Sequence, residues 1–358
     1  MTDSCAPNNY KNDSCFPDEV VRDIAKRVNS QTSEKLVINK NGKELMSEVR
    51  STMKCEDDVC VVKNEILGDD KSKLIEYFKP PIPKSWEKNP TTWASTLDID
   101  QVLSQYENKY KDFKYLGAVP IDFDTRMSDD VCVSDDLCKI NMRELWNSGK
   151  RNVGMVFNLD PHYKSGSHWV SMFVDGKNGG IYYFDSVGKE PPVEVQRLMG
   201  RVAGQLNGCV QDGTIDVNDI ADTHRVKKSL NQKVNRGKNK LYLNTTWLYE
   251  GCILHLEGDK YTIKTVKEDH VVIEPPTKRK YKQGTLVEEK CWRQFYNDVG
   301  HQRENTECGI YSMYFISSLL DGKRFNDFLG RRIPDSEMEQ YRKRFFRPRE
   351  NFDYDINI

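Results

Sequence analysis

The 358 residues can bury a sizeable core and hold one large domain or two ordinary ones. Charged residues make up 30% of the chain, yet 54 basic side chains stand against 55 acidic ones, so the net charge selects no partner. No run approaches the roughly 18 apolar residues of a membrane span, and "MTDSCAPNNYKND" lacks the apolar core of a secretory signal. These features predict a soluble protein with no membrane contact, made in a reducing compartment, whose ten irregularly placed cysteines are free thiols.

From 18 to 79 the apolar residues recur at helical spacing: Val20, Val21, Ile24 and Val28, then Leu45, Val49 and Met53, then Leu74, Ile75 and Phe78. This predicts a small helical domain ending near residue 84. "KPPIPKSWEKNPTTW" follows, with four prolines in fifteen residues, and reads as a linker or an extended segment draped over a neighbour. A second domain, taken as 85–350, opens with the apolar helix face Val102, Leu103, Tyr106, Tyr110 and Phe113, capped by Asp98 or Asp100. After an irregular stretch come three buried-looking strands, "NVGMVFNL" (152–159), "HWVSMFVD" (168–175) and "GIYYFDS" (180–186). "PPVEVQRLMGRVAGQL" reads as a helix with Pro near its first turn. "CWRQFYNDV" (291–299) continues as a strand and "CGIYSMYFISSLL" (308–320) as a helix, and "SEMEQYRKRFF" has capping-box spacing between Ser336 and Glu339. The span 207–290 interrupts this α/β alternation. Its basic, Asn-rich start and the hairpin around Gly258-Asp259 predict a small inserted β module, barrel-like to hide its edges.

A cysteine hydrolase needs a thiolate, a histidine to generate it, an acceptor to orient that histidine, and donors for an oxyanion. Cys308 stands where a loop enters a helix, whose N-terminus favours a thiolate, and Gly309 lets the backbone approach closely. Glu307 beside it opposes a lowered thiol pKa unless it points elsewhere. His168 opens one strand next to Trp169, and Asp185 closes the next, so adjacent strands bring them to one sheet edge. Asp175 competes as the acidic partner. Gln302, six positions before Cys308, can donate its amide N–H. Singly, each residue has a plainer reading: a core cysteine, a structural His-Trp pair, a turn aspartate and an exposed loop glutamine.

Their order is more specific. His, Asp, then Gln six residues before a Cys-Gly, in "GSHWVSMFVD", "IYYFDSVG" and "HQRENTECGIYSMYF", resembles the SUMO-specific and adenovirus-type (adenain-like) cysteine proteases. The helical start, "CEDDVC", the Pro-rich linker and "DIDQVLSQYENKY" are similar, more narrowly, to the polyprotein-processing SUMO-like proteases of African swine fever virus and other large DNA viruses. The resemblance spans about half the chain, roughly 93–346 without the insertion, which is longer than that family's usual connection. It implies an α+β fold with a central mixed sheet, a helical N-terminal arm and a giant-virus source. It also implies His168 as base, Asp185 as orienting acid, Cys308 as nucleophile and Gln302 as oxyanion donor. Trp169 would close over the substrate chain and Trp93 form the other wall, or serve only as a core residue, which fits cleavage after Gly-Gly.

The expected activity is therefore a cysteine endopeptidase acting on Gly-Gly-Xaa sites of viral structural polyproteins, in the host cytoplasm (virus factory) and virion. The alternatives are a deconjugating protease for SUMO or another ubiquitin-like modifier, and an inert binding scaffold. No cofactor motif is visible. Cys5, Cys15, Cys55 and Cys60 lack a two-residue knuckle, which favours free thiols over a zinc quartet. "HRVKKSLNQKVNRGKNK", "KRKYK" and "YRKRFFRPR" read as solvated surface with a weak capacity for nucleic-acid contact.

Overall fold

The computed structural model describes residues 4–7, 13–216, 220, 226–245, 248 and 250–349. His224 and Arg225 of the basic stretch, and Trp247, lie outside them. The elements that matter for function are, in chain order, helices α1 (Asp18–Gln31), α2 (Gly42–Met53) and α3 (Thr96–Ser104), then strands β1 (Phe113–Pro120), β2 (Asn152–Asn158), β3 (Trp169–Asp175) and β4 (Gly180–Phe184). They continue with α4 (Val193–Gln211), β5 (Val226–Ser229), β6 (Lys240–Tyr242), β7 (Ile253–Leu256), β8 (Asp259–Val266), β9 (His270–Glu274), β10 (Leu286–Lys290), β11 (Arg293–Tyr296), α5 (Cys308–Leu320) and α6 (Asp335–Phe345). They fall into two compact units, one formed by Met1–Lys111, His301–Asp321 and Arg332–Ile358, the other by Asp112–Gly300 and Gly322–Arg331.

In the first unit, the periodic residues of the N-terminal stretch form a small apolar core. Val21, Ile24, Ala25 and Val28 of α1 face Leu45, Met46, Val49 and Met53 of α2, closed by Leu74 and Phe78. Asn41 starts α2 by accepting the Glu44 N–H at 3.0 Å. The Pro-rich segment is extended: Ile82 N–H donates to the Arg347 carbonyl at 2.9 Å, and Arg347 N–H donates to Pro80 at 3.0 Å. Helix α3 is capped one turn earlier than the sequence suggests, by Ser95, which accepts the Asp98 N–H while the Asp98 carboxylate accepts the Ser95 N–H. Helix α6 follows Pro334 without a side-chain cap, so Ser336 and Glu339 form no capping box there.

The cysteines depart from expectation. Cys5–Cys15, Cys55–Cys60, Cys132–Cys138 and Cys252–Cys291 are disulfides, and only Cys209 and Cys308 are free. The N-terminal four are thus neither thiols nor a zinc quartet. Spacing could not show this, because bridging depends on Cα separations near 5–6 Å, which folding alone creates.

The second unit holds a five-stranded mixed sheet in the order β1-β2-β3-β4-β11, parallel at both outer pairs and antiparallel within. Its inner strands are buried on both faces, as their unbroken apolar character requires. Helix α4 covers one face with Val195, Leu198, Val202 and Leu206. The insertion is a separate antiparallel sheet, ordered β5-β10-β7-β8-β9-β6, with its own core of Leu241, Leu254, Leu256, Ile263 and Tyr281. Its outer strands meet where Leu230 bridges Leu243 and Asn231 N–H donates to Tyr242 at 2.7 Å, closing the sheet into a small barrel.

Candidate active site

Strands β3 and β4 are antiparallel with Ser171 opposite Phe184. Continuing that register sets Asp185 opposite Val170, on the face that His168 shares, because alternate residues of a strand point the same way. The result is a direct contact, His168 Nε2 to Asp185 Oδ1 at 2.7 Å. A carboxylate can only accept, so the ring proton lies on Nε2 and Nδ1 is the basic nitrogen. The His168 side chain is 18% exposed and that of Asp185 only 1%.

Asp185 is fixed from several sides. Its Oδ1 also accepts the Val187 N–H at 2.8 Å. Its backbone N–H donates to Asn297 Oδ1 at 2.8 Å, and Asn297 Nδ2 returns bonds to the Asp185 carbonyl at 2.8 Å and to Val299 at 3.0 Å. Gly188, at φ +77°, lies so close that a Cβ would meet the Val299 carbonyl carbon at 2.7 Å, so only glycine turns the chain here. Among the described residues no donor reaches the buried Oδ2. Asn297, fully buried just after β11, was not foreseen; an Asn closing an apolar strand is the signal that could have found it. Asn297→Ala should cost roughly 1–3 kcal/mol in urea unfolding, and an unchanged midpoint would mean that water replaces the lost bonds.

Asp175 is not the partner. It accepts Lys177 N–H and Asn178 N–H, both at 3.0 Å, in the turn at the other end of β3. His162 with Asp122 and His270 with Asp269 also pair at 2.7 Å, but Asp269 is largely exposed, so burial of the acid, not contact alone, distinguishes His168. Trp169 is buried next to it, 4% exposed.

In the first unit, Cys308 is the first residue of α5, a helix buried from end to end down to Leu319. Glu307 does not oppose the thiol alone. Its buried carboxylate is bound by Arg342 Nε at 2.8 and 3.0 Å, while Nη1 and Nη2 of that arginine donate to the Thr92 and Thr306 carbonyls at 2.9 and 3.1 Å. The guanidinium stacks 4.1 Å from the Trp86 ring centroid. The loop before α5 is anchored by His301 Nδ1, which accepts Ile333 N–H at 3.0 Å, and by Arg303 N–H, which donates to Asp335 at 3.0 Å. Gln302 lies in this strapped loop, its amide donating to the Glu304 carbonyl. Trp93 is half-buried, its carbonyl accepting Trp86 Nε1 at 3.4 Å.

Burial pushes the thiol pKa of Cys209, the other free cysteine, upward, which lowers its thiolate fraction. Among the described residues one potential metal cluster occurs, Cys252, Glu289 and Cys291, but its two sulfurs are bridged and Glu289 is ion-paired with Arg293. No helix among the described residues is long and apolar enough to cross a membrane.

No family model matches the chain. It is 26% identical over 368 residues to a protein of Acanthamoeba polyphaga mimivirus named a putative thiol protease, covering 96% of this chain and 93% of that one. It is also 26% identical over 324 residues to the SUMO-1 cysteine protease of African swine fever virus, covering 85% and 88%. The crystal structure of the African swine fever virus protease superposes with a TM-score of 0.56 at 21% identity, over 97% of this chain and 96% of the other. The chain is a cysteine protease, related in sequence to these viral thiol proteases and built on the African swine fever virus protease fold.

Proposed function

We propose that the chain is an endopeptidase that cleaves after Gly-Gly in viral structural polyproteins, in the virus factory and the virion. His168, Asp185 and Cys308 serve as its triad and Gln302 as oxyanion donor. The observation that carries the reading is the locked pair of His168 and buried Asp185, which leaves Nδ1 as the base. In this scheme Nδ1 takes the Cys308 proton and the thiolate attacks the carbonyl carbon of the second glycine. The oxyanion is held by the Gln302 amide and backbone N–H groups at the start of α5. His168 then gives its proton to the departing amine, leaving a thioester, and a water that His168 deprotonates hydrolyses it. Trp169, buried beside the base, supports a passage that admits residues without side chains, and Trp93 is the residue proposed for its other wall.

The test is a peptide panel varying the two residues before the scissile bond. Cleavage confined to Gly-Gly-Xaa is expected, and Gln302→Ala should lower kcat about 10²–10³-fold with little change in KM. Equal cleavage after Ala-Ala would overturn the narrow passage. Silence on every peptide, with turnover of a folded ubiquitin-like modifier, would move the reading to deconjugation.

A further inference from the structure

Between 226 and 290 the chain carries fourteen Lys and Arg against eight Asp and Glu, whereas the whole chain is balanced. The excess is concentrated. Segments 231–240 and 276–283 run side by side as a ribbon on the barrel, joined by Val234 and Tyr281, which exchange bonds at 3.0 and 2.9 Å, and by Gly237 N–H donating to Thr277 at 2.7 Å. Buried Thr277 fastens the turn, its hydroxyl donating to the Asn235 carbonyl at 2.7 Å and accepting Lys238 N–H at 3.0 Å. Lys233, Arg236, Lys238, Lys240, Lys278, Arg279, Lys280 and Lys282 all lie on this ribbon, all exposed; its two segments contain no acidic residue, though Arg279 is ion-paired with Asp259 of β8 at 2.6 Å.

We propose that this ribbon docks the barrel on the phosphate backbone of duplex DNA, without regard to base sequence. Val234 and Tyr281 turn inward together, so Lys280 and Lys282, on either side of Tyr281, share the outer face about 7 Å apart, and exposed Lys278 lies in the bend that precedes them. The exposed lysines of the ribbon form a dense cluster of like charge, which meets an evenly charged polyanion better than it meets an acidic peptide of irregular sequence. Lys280 presses on Lys233 closely enough to push the Lys233 ammonium below its ordinary pKa, a like-charge contact that phosphate relieves. Amides of Asn231, Gln232, Asn235, Asn239 and Gln283 add neutral donors for phosphate oxygens. Single strands are disfavoured, because the ribbon's one aromatic residue, Tyr281, is buried and donates to Asp259 at 2.6 Å, leaving no ring for a base to stack on. A lipid surface is disfavoured as well, since among the described residues the large apolar side chain exposed on the barrel, Leu286, belongs to β10 and not to the ribbon.

The test is fluorescence anisotropy of a short mixed-sequence DNA duplex with the full chain, titrated from about 50 to 200 mM salt. The variant carries Lys233→Gln, Lys278→Gln, Lys280→Gln and Lys282→Gln. Wild type should bind with a steep negative salt slope. The variant should bind at least about tenfold more weakly, with a slope shallower by roughly 3–4, at about 0.9 per lost phosphate contact. Its melting temperature and its turnover of a short peptide should be unchanged, which separates docking from catalysis. No binding by wild type at the lowest salt, an unchanged slope in the variant, or stronger binding to poly-glutamate or phosphatidylserine vesicles would overturn the proposal.

Discussion

Cys308→Ala is expected to lower kcat/KM on a Gly-Gly peptide by about three orders of magnitude or more, and His168→Ala by a similar factor. A thousandfold loss is about 4 kcal/mol of transition-state stabilisation. The first variant removes the atom that forms the thioester. The second removes the base that makes it a thiolate and the acid that protonates the departing amine. The double variant should be no worse than either single one, because groups that act as a unit are lost together. Asp185→Asn should cost less than Cys308→Ala, since it leaves nucleophile and base in place and disturbs only the tautomer. Single-turnover kinetics on purified variants would show this, and near wild-type hydrolysis by Cys308→Ala would falsify the assignment.

Arg342→Met is expected to destabilise the first unit by roughly 3–5 kcal/mol, read as a lower urea midpoint with an unchanged slope. The substitution fills most of the space but leaves the Glu307 carboxylate, 3% exposed, without its partner. It also strips the Thr92 and Thr306 carbonyls of their donors. Adding Glu307→Gln should recover part of the loss, because the uncompensated charge is the larger share of the cost. Arg342→Lys should fall in between, since an ammonium cannot match four acceptors in a plane while stacking on Trp86. A midpoint unchanged in Arg342→Met would mean that Glu307 takes up a proton or water at no cost.

Strong local patterns were legible. The three central strands, the apolar helix after Cys308 and the Gly258 hairpin all carry their period in the residues themselves. Antiparallel adjacency then sufficed to pair His168 with Asp185. Phe113 was read as closing the preceding helix face but opens strand β1, and the rest of β1 was read as irregular for a physical reason: Gly117, at φ +92°, lies where the pairing with β2 shifts between Tyr115 and Ala118, and the alternation breaks there. The Glu307–Arg342 pair spans 35 residues and the Cys252–Cys291 bridge 39, and no local pattern encodes such distances. Asn297 was hidden because its work is done on another residue's backbone.

The first unit is assembled from pieces at both ends of the sequence, residues up to Lys111 and then from His301 onward. During synthesis α3 therefore waits for its neighbour α5 while the intervening chain is made, which at 5–20 residues per second takes on the order of ten seconds or more. Throughout that interval Cys308 does not yet exist in the growing chain. Peptidase activity that uses Cys308 as its nucleophile thus cannot precede the synthesis of that residue, and nascent neighbours are protected until then by the order in which the polypeptide emerges.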